Sequence, residues 1–216
     1  MSISQNPRTP NDDDTELIIQ INSGRTDLFP ELVRRYEQKL YNFGIRMCRD
    51  VQDAEDMVQD TFLNVFRYLK DFRFESRFKN WLYRVATRTC LKKKRKSLYA
   101  PEEELSLDDF LPGEEAAIPA RVPDWAAAPL DQLLNEELGN RLRQAVYELP
   151  ESYRLVLVLR DMEGFSTSET ARILNLSESN IKVRLHRARL FVRQKLTDYF
   201  DHEPYTPSSP SLSCPV

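Results

Sequence analysis

The sequence predicts an all-α protein made of two small helical domains that are joined by an acidic, flexible linker. Glycine is scarce, at 5 of 216 residues, and the apolar fraction of 41% is ordinary for a soluble helical protein. Apolar residues recur at helical spacing on both sides of residues 97–129. That stretch lacks such periodicity and is too long for a loop inside one compact domain, so it should separate two domains.

The domain boundaries follow from these changes in composition. Residues 1–14 are polar and acidic and should be disordered, because they cannot bury enough apolar surface to offset the entropy of ordering. The first helical domain is expected at 15–96 and the second at 130–200, with 97–129 as the linker. A tail rich in serine and proline, 201–216, should again be disordered.

The first domain should contain a short helix and three longer ones. Asp14 can cap the short helix, which Gly24 would end. Longer helices are expected to begin near Asp27, Asp53 and Arg77. The middle one should turn an apolar stripe toward the core, formed by Val58, Phe62, Val65, Phe66 and Leu69. In the last one, Phe78 and Leu82 share a stripe, so Phe78 should be a core residue.

The second domain contains the most specific local pattern, a short helix, a tight turn and a longer helix. Its first helix should bury a stripe that includes Leu138, Leu142, Ala145, Val146 and Leu149 and should stop at Pro150. Further on, Ser166 and Glu169 form a capping box, Asn175-Leu176 form a turn, and Ser177 caps another helix. Ile181, Leu185, Ala188 and Val192 should point inward. This layout predicts a helix-turn-helix DNA reader, whereas the alternative is a helical hairpin with a solvated basic face.

Composition narrows the class of protein further. No apolar run approaches the roughly 20 residues that span a bilayer, and the N-terminus does not resemble a signal peptide, so the chain should be cytoplasmic. Cys48, Cys90 and Cys214 are few and far apart, which predicts neither disulfides nor a metal site. No P-loop, HExxH motif or nucleophile–histidine pair is present, so neither an enzyme nor a cofactor is expected.

The distribution of charge is more informative than the net charge of −3. A free-standing DNA binder is usually basic, so the sum alone argues against one. Residues 92–96 are an unbroken basic run and 182–195 are basic again, while residues 97–120 carry seven acids and no lysine or arginine. The basic run is either a solvated face or a clamp for DNA phosphates.

At two separate places the chain resembles the ECF (extracytoplasmic-function) sigma factors. Residues 149–156, 164–166, 169–171 and 182–189 resemble region 4 of that family. Residues 29–48, 53–62 and 80–86 resemble region 2. The two matches occur in the family's order and are joined by a linker, which makes the resemblance stronger than either match alone.

The resemblance implies a transcription initiation subunit that directs core RNA polymerase to promoters and is controlled by an anti-sigma factor. Region 2 of such factors binds the clamp helices of the β′ subunit and opens the −10 element, while region 4 reads the −35 element and contacts the β flap. Asp56, Gln59 and Asp60 match the polymerase-binding motif. On a helix, positions 56 and 60 share a face. Such a face is either a partner surface or merely solvated.

The expected DNA contacts fall into two sets. Near the −10 element they are Phe74, Trp81, Lys92, Lys93, Lys94 and Arg95, and near the −35 element they are Ser179, Asn180, Lys182, Arg184, Arg187 and Arg189. Aromatic faces can stack on exposed bases, although aromatic residues at helical spacing are more often core. The loop from Asp71 to Arg77 is the candidate pocket for a flipped base. The chain departs from the family by having Phe74 where a glycine is usual, Ser179-Asn180 where Gly-Thr is common, and Val183 at a common serine.

The alternative class is a conventional helix-turn-helix regulator that binds an operator alone, with a sensory or dimerisation domain in front. The acidic net charge and the region 2 resemblance favour the sigma factor.

Overall fold

The computed structural model describes residues 14–48, 50–97 and 132–202, with side chains at 14–48, 50–92 and 137–197. All regular structure in these ranges is helical, which confirms the predicted fold class. The expected linker and the two expected disordered ends lie outside the described residues, apart from the few positions at their margins. None of the described helices combines the length and the apolarity that crossing a membrane needs.

The first unit consists of four α-helices with short 3-10 turns between them. The helices are α1 (Asp14–Asn22), α2 (Phe29–Cys48), α3 (Val51–Tyr68) and α4 (Phe78–Ser97), and the 3-10 turns are Thr26–Leu28 and Leu69–Asp71. Asp50 caps α3, because its carboxylate accepts a hydrogen bond from the Asp53 amide at 3.1 Å. Each long helix begins within about two residues of its predicted start.

Helices α2 and α3 approach each other closely at Gly44. A Cβ at this position would lie 2.6 Å from Met57 Cε and 3.2 Å from Ala54 Cβ. Glycine therefore allows the two backbones to pack without a side chain between them. At the other end of α2, the buried Asp14 carboxylate accepts hydrogen bonds from the Tyr36 hydroxyl and from Arg35, which ties α1 to α2.

The second unit also consists of four α-helices. They are α5 (Gln132–Glu148), α6 (Glu151–Leu157), α7 (Thr167–Leu174) and α8 (Glu178–His202), and α6 runs on into a π-helical turn over Val158–Met162. Residues 154–159 are buried without interruption. They form the centre of this unit, against which α8 packs.

Two predicted core positions are wrong. Phe66 is 50% exposed and Leu142 is 38% exposed. In both helices the neighbours at helical spacing take the core face: Val65 lies next to Phe66 and is buried, and Val146 is buried one turn beyond Leu142. The buried stripes of α3 and α5 are therefore narrower than the apolar residues in their sequences indicate.

The two units are packed against each other. Their buried apolar residues form one continuous cluster, which runs from α1 to α8. Helix α4 of the first unit lies against α7 of the second, and α2 lies against α5 and α6. These contacts join residues that are far apart in the chain, and the periodicity of the sequence does not predict them.

Candidate nucleic-acid interface

The helix-turn-helix predicted at residues 166–192 is present, and local hydrogen bonds define it. The Ser166 Oγ accepts from the Glu169 amide at 3.2 Å, and the Glu169 carboxylate accepts from the Ser166 amide at 2.9 Å. This is the predicted capping box of α7. The helix ends at Asn175, which has φ of 56° and ψ of 48° in the left-handed region that asparagine tolerates.

The second helix of the motif starts at a cap. The Ser177 Oγ accepts a hydrogen bond from the Asn180 amide at 3.2 Å, as the sequence predicts. Three of the residues expected to point inward, Ile181, Leu185 and Ala188, are buried, and Val192 is buried as well. The inward face is thereby confirmed.

The outward face of α8 carries the residues predicted to contact the −35 element. Ser179, Lys182 and Arg189 are exposed, whereas Asn180, Arg184 and Arg187 are half-buried. The six side chains lie along the first three to four turns of the helix, which places polar groups at its N-terminus and basic groups behind them. A helix that presents this order of groups fits the major groove of DNA.

Arg184 and Arg189 each have a protein partner. The Arg184 guanidinium lies 6.0 Å from the centroid of the Tyr153 ring. Arg189 makes two hydrogen bonds with the Asp161 carboxylate, at 2.9 and 2.7 Å, and this contact raises the pKa of the arginine. A DNA phosphate would have to displace Asp161 to bind Arg189 in the same way.

The residues predicted to contact the −10 element lie on α4 and on the loop before it. Lys92 is exposed. Lys93, Lys94 and Arg95 lie in the last turns of α4, where the side chains are outside the described part of the chain. Phe78 is buried, which confirms its assignment to the core.

An aromatic cluster fills the base of this loop. The Phe72 ring is buried and lies 4.9 Å from the Phe74 ring, 5.8 Å from the Phe78 ring and 5.4 Å from the Trp81 ring, measured between centroids. Phe74 and Trp81 are each half-buried. Each therefore packs on the cluster and leaves part of its side chain exposed to solvent.

Phe74 has a left-handed backbone, with φ of 56°. A side chain in this region costs about 1–2 kcal/mol relative to the right-handed region, which is why glycine is the residue that accepts it without strain. Phe74 therefore occupies a backbone conformation that favours glycine.

The residues predicted to bind polymerase lie on one side of α3. Asp56 is half-buried and accepts a hydrogen bond from Gln52 at 3.3 Å, and Gln59 and Asp60 are exposed. Two exposed apolar side chains extend this face toward the C-terminus of the helix: Leu63 is 49% exposed and Phe66 is 50% exposed. Sequence reasoning missed Leu63, although its spacing of four residues from Gln59 places it on the same face.

Comparison with known proteins defines the class to which these two units belong. The family model Sigma-70 region 2 matches residues 32–97, and the model Sigma-70, region 4 matches residues 139–192. The fold and the helix-turn-helix are therefore those of a transcription initiation factor of the sigma-70 type.

Comparison with individual relatives identifies the subfamily. The ECF RNA polymerase sigma factor SigW of Bacillus subtilis is 31% identical over 182 residues, which cover 84% of this chain and 95% of SigW. The RNA polymerase sigma-H factor of Pseudomonas aeruginosa is 30% identical over 183 residues, which cover 82% of this chain and 90% of that protein. The chain belongs to the ECF RNA polymerase sigma factors, and it is accordingly a DNA-binding initiation factor and not an enzyme.

Solved structures agree with this fold. CnrH, determined in complex with the cytosolic domain of CnrY, is 25% identical with a TM-score of 0.60, and the match covers 87% of this chain and 99% of CnrH. The sigma factor RpoE of Bartonella quintana, determined in complex with the anti-sigma factor NepR, is 24% identical with a TM-score of 0.56, covering 78% of this chain and 96% of RpoE.

Proposed function

We propose that this sigma factor binds core RNA polymerase through α3, opens the −10 element with α4 and the loop before it, and reads the −35 element with α8. The observation that carries the proposal is the capped start of α8, which presents polar side chains first and basic ones behind them. In the same assignment, region 2 occupies 15–96, region 4 occupies 130–200, and residues 97–129 link the two regions. The terminal segments are 1–14 and 201–216.

Reading of the −35 element is assigned to the first turns of α8. Ser179 and Asn180 lie directly after the Ser177 cap, where side chains of a recognition helix reach base edges. Lys182, Arg184 and Arg187 follow within two turns and are placed to meet phosphates or guanine edges. Arg189 joins them once its contact with Asp161 is exchanged for one with DNA.

Opening of the −10 element is assigned to the aromatic cluster. Separated strands expose base faces, and stacking of a base on an aromatic ring contributes about 1–3 kcal/mol. Phe74 and Trp81 each combine a supported ring with partial exposure. Lys92 and the basic residues Lys93, Lys94 and Arg95 continue along α4 and would hold the phosphates of the same strand.

Binding to polymerase is assigned to the face of α3 that carries Asp56, Gln59 and Asp60. The acidic side chains suit a basic partner surface, and the exposed Leu63 and Phe66 would bury apolar area in the same contact. The family resemblance identifies the partner of this face as the clamp helices of β′ and gives region 4 the β flap as a second contact.

We also propose that an anti-sigma factor controls this chain and that it works in the cytoplasm with polymerase. The family resemblance supports both statements. In addition, the related CnrH was captured with the cytosolic domain of another protein, which is the kind of complex that such control requires.

The test is reconstitution with purified core polymerase. The chain should co-purify with the core enzyme and direct transcription from specific start sites, whereas a conventional regulator would bind an operator without polymerase. Asp60→Arg should weaken binding to the core enzyme without changing helix content, because it reverses charge on the α3 face. Glu37→Arg, a charge reversal at an exposed position of α2, is the control.

For the −35 contact, Arg187→Ala should reduce promoter binding by the holoenzyme, by about 1–3 kcal/mol on the cognate sequence if the residue reads a base. Arg193→Ala, an exposed arginine six residues further along α8, should have a smaller effect. Wild-type transcription by the Arg187 variant in a −35-dependent assay would remove that residue from the reader.

A further inference from the structure

One large apolar side chain lies on the outward face of α8. Val183 is 50% exposed, and no other large apolar side chain in the described stretch from residue 150 to residue 197 is as exposed. Its neighbours in the sequence are the basic residues Lys182 and Arg184. Val183 is therefore a single apolar group within a polar surface, and it is too small to form a docking patch for another protein.

Val183 lies at the centre of the outward face. An α-helix has about 3.6 residues per turn, so each residue is rotated about 100° from the one before it. The buried residues Ile181, Leu185 and Ala188 fall within about 60° of one another around the axis and define the inward face. Val183 lies about 190° from the middle of that face, which is almost directly opposite it.

The side chains around Val183 are arranged by length. Lys182 and Arg184 point about 100° to either side of it. Ser179, one turn before it, and Arg187, one turn after it, lie on the same side of the helix. Short side chains at the middle of the face allow the helix to come close to base edges, while the long basic side chains at its flanks can reach the phosphates.

The hydroxyl of the other short side chain on this face already contacts the helix cap. The Ser179 Oγ lies 3.0 Å from the Ser177 Oγ, which accepts from the Asn180 amide at 3.2 Å. Val183, one turn further along, has no group that can donate or accept a hydrogen bond. Any contact between its side chain and a base must therefore be apolar.

Neither the helix nor the core explains a valine at this position. A β-branched side chain loses rotamer freedom in a helix and is a weaker helix former than lysine, arginine or leucine. Half of the Val183 side chain is exposed, so its burial in the folded protein is incomplete. The side chain would be covered fully only when the outward face of α8 meets another surface.

We propose that Val183 reads the C5-methyl group of a thymine in the −35 element and thereby makes one position of the promoter specific for an A·T pair. In the major groove the methyl group of thymine is the apolar feature among donors and acceptors. Cytosine presents an amino donor there instead, and Val183 cannot accept its hydrogen bond. The inference rests on the proposed reading of the −35 element by α8.

The expected contribution is small compared with that of a polar contact. Burial of one methyl-sized group against an apolar side chain changes affinity about fourfold. A bidentate hydrogen bond from an arginine or asparagine to a base discriminates more strongly. Val183 accordingly sets the preference at one base pair and does not decide whether the promoter is bound at all.

The test removes the methyl group from the DNA. Deoxyuridine pairs as thymidine does but carries hydrogen at C5, so each thymine of the −35 element, on either strand, is replaced singly by deoxyuridine. The affinity of the reconstituted holoenzyme is then measured by competition. With the wild-type protein one replacement should weaken binding about fourfold. With Val183→Ser the same replacement should leave the affinity unchanged, because the apolar partner of the methyl group is gone.

Two further variants make the test specific to this side chain. Val183→Thr keeps one methyl group and the branched shape, so it should retain part of the dependence on the thymine methyl. Val51→Ser changes a valine that is 55% exposed in the first turn of α3, and it should retain all of that dependence. Deoxyuridine in the −10 element should affect the wild-type protein and Val183→Ser equally. Circular dichroism checks that each variant keeps its helix content.

A selection experiment measures the specificity itself. The holoenzyme is allowed to choose among promoters whose −35 element is randomised. Wild type should enrich thymine at one position, and Val183→Ser should lose that enrichment while it keeps the preferences at the other positions. Equal enrichment of thymine by both proteins would contradict the role of Val183.

The outcomes separate this inference from the proposed function. If binding depends on the −35 element but no thymine methyl contributes, or if the methyl effect persists at full size in Val183→Ser, the role of Val183 is overturned and the proposed reading by α8 stands. If the affinity of the holoenzyme does not depend on the −35 sequence, the proposed reading by α8 is overturned and this inference with it.

Discussion

The turn before α8 and the loop before α4 contain residues with the same φ of 56°, but one residue is Asn175 and the other is Phe74. Asparagine adopts this conformation at low cost, and the turn in region 4 is otherwise held by hydrogen bonds between near neighbours, from the Leu176 amide to the Ala171 carbonyl and from the Asn180 amide to Ser177 Oγ. Phenylalanine adopts it at a higher cost, and the loop in region 2 is supported by the rings of Phe72, Phe78 and Trp81, of which Phe78 also packs on Tyr36 of α2. Hydrogen bonds shape the first turn, and packing of aromatic rings shapes the second.

The difference bears on how each unit would meet DNA. A helix-turn-helix fixed by its own caps would already have its binding shape on reaching the proposed −35 element. A strained loop that is supported by a ring cluster can instead rearrange when a base competes for one of the rings, because the strain is released as the packing changes. The two turns thus suit binding to intact duplex and capture of an unpaired base, respectively.

The largest effect that tests this comparison should come from removing the support of the strained loop. Phe72→Ala deletes the ring on which Phe74 and Trp81 pack and should cost about 3–5 kcal/mol of stability, measured by urea unfolding. Binding of region 4 to the −35 element should survive in molecules that remain folded. Tyr68→Ala, which truncates a 54% exposed ring, is the control and should cost far less. Equal losses for the two variants would mean that the cluster does not support the loop.

The stability of the turn in region 4 should depend on how readily residue 175 adopts the left-handed backbone conformation. Asn175→Ala puts a residue that disfavours the left-handed region at the end of α7 and should cost about 1–2 kcal/mol. Asn175→Gly should stay within a few tenths of a kcal/mol of wild type, because glycine is the commonest residue at this place after a helix. If alanine and glycine behave alike in thermal unfolding, the conformation at residue 175 is not what matters.

The same substitution should behave differently at the strained position. Phe74→Gly removes the backbone strain but also the ring contact with Phe72, so we expect the net change to fall within about 1 kcal/mol of wild type. Opening of promoter DNA should decline more than stability does, because the proposed stacking ring is gone. A loss of stability as large as that of Phe72→Ala would show that Phe74 supports the loop rather than being supported by it.

These two turns also show how far the sequence alone leads. The caps at Ser166 and Ser177, the inward face of α8 and the core position of Phe78 follow from patterns within a few residues of one another, and the structure confirms them. The prediction that Phe66 belongs to the core was wrong. An apolar residue at the edge of a helical stripe can be buried or exposed, and the sequence does not decide between the two. No sequence pattern predicts the hydrogen bonds of Glu163 with Arg46, Lys79 and Tyr83, because these partners are 80 to 117 residues away in the chain.

The residues assigned to DNA and polymerase contacts remain predictions that are based on their positions in the family motifs. The structure gives their location and exposure, and it adds the partners of Arg184 and Arg189, which no sequence pattern announced. The side chains of Lys93, Lys94 and Arg95 lie outside the described residues.

The smallest expected effect concerns pH. Burial by itself would raise the pKa of Glu169, but hydrogen bonds from Ser166 and Asn80 outweigh it and hold the pKa below its ordinary value of 4.5. A carboxyl with a lowered pKa in the folded protein stabilises it fully above the unfolded value, and that stability is lost as pH falls through the folded value. Urea unfolding between neutral pH and pH 4 should therefore show a slightly steeper loss for wild type than for Glu169→Gln. Identical pH profiles would mean that these hydrogen bonds contribute nothing measurable.

The assignment of two promoter elements to two units is tested most directly by permanganate footprinting of melted thymines on a promoter bound by the reconstituted holoenzyme. Wild type should give reactive thymines around the −10 element. Trp81→Ala should bind the same promoter and leave those thymines unreactive, whereas Arg187→Ala should lower occupancy and reactivity together, so that reactivity for each bound complex stays at the wild-type level. Melting at the wild-type level for each bound complex of Trp81→Ala, or a melting defect specific to Arg187→Ala, would contradict the assignment.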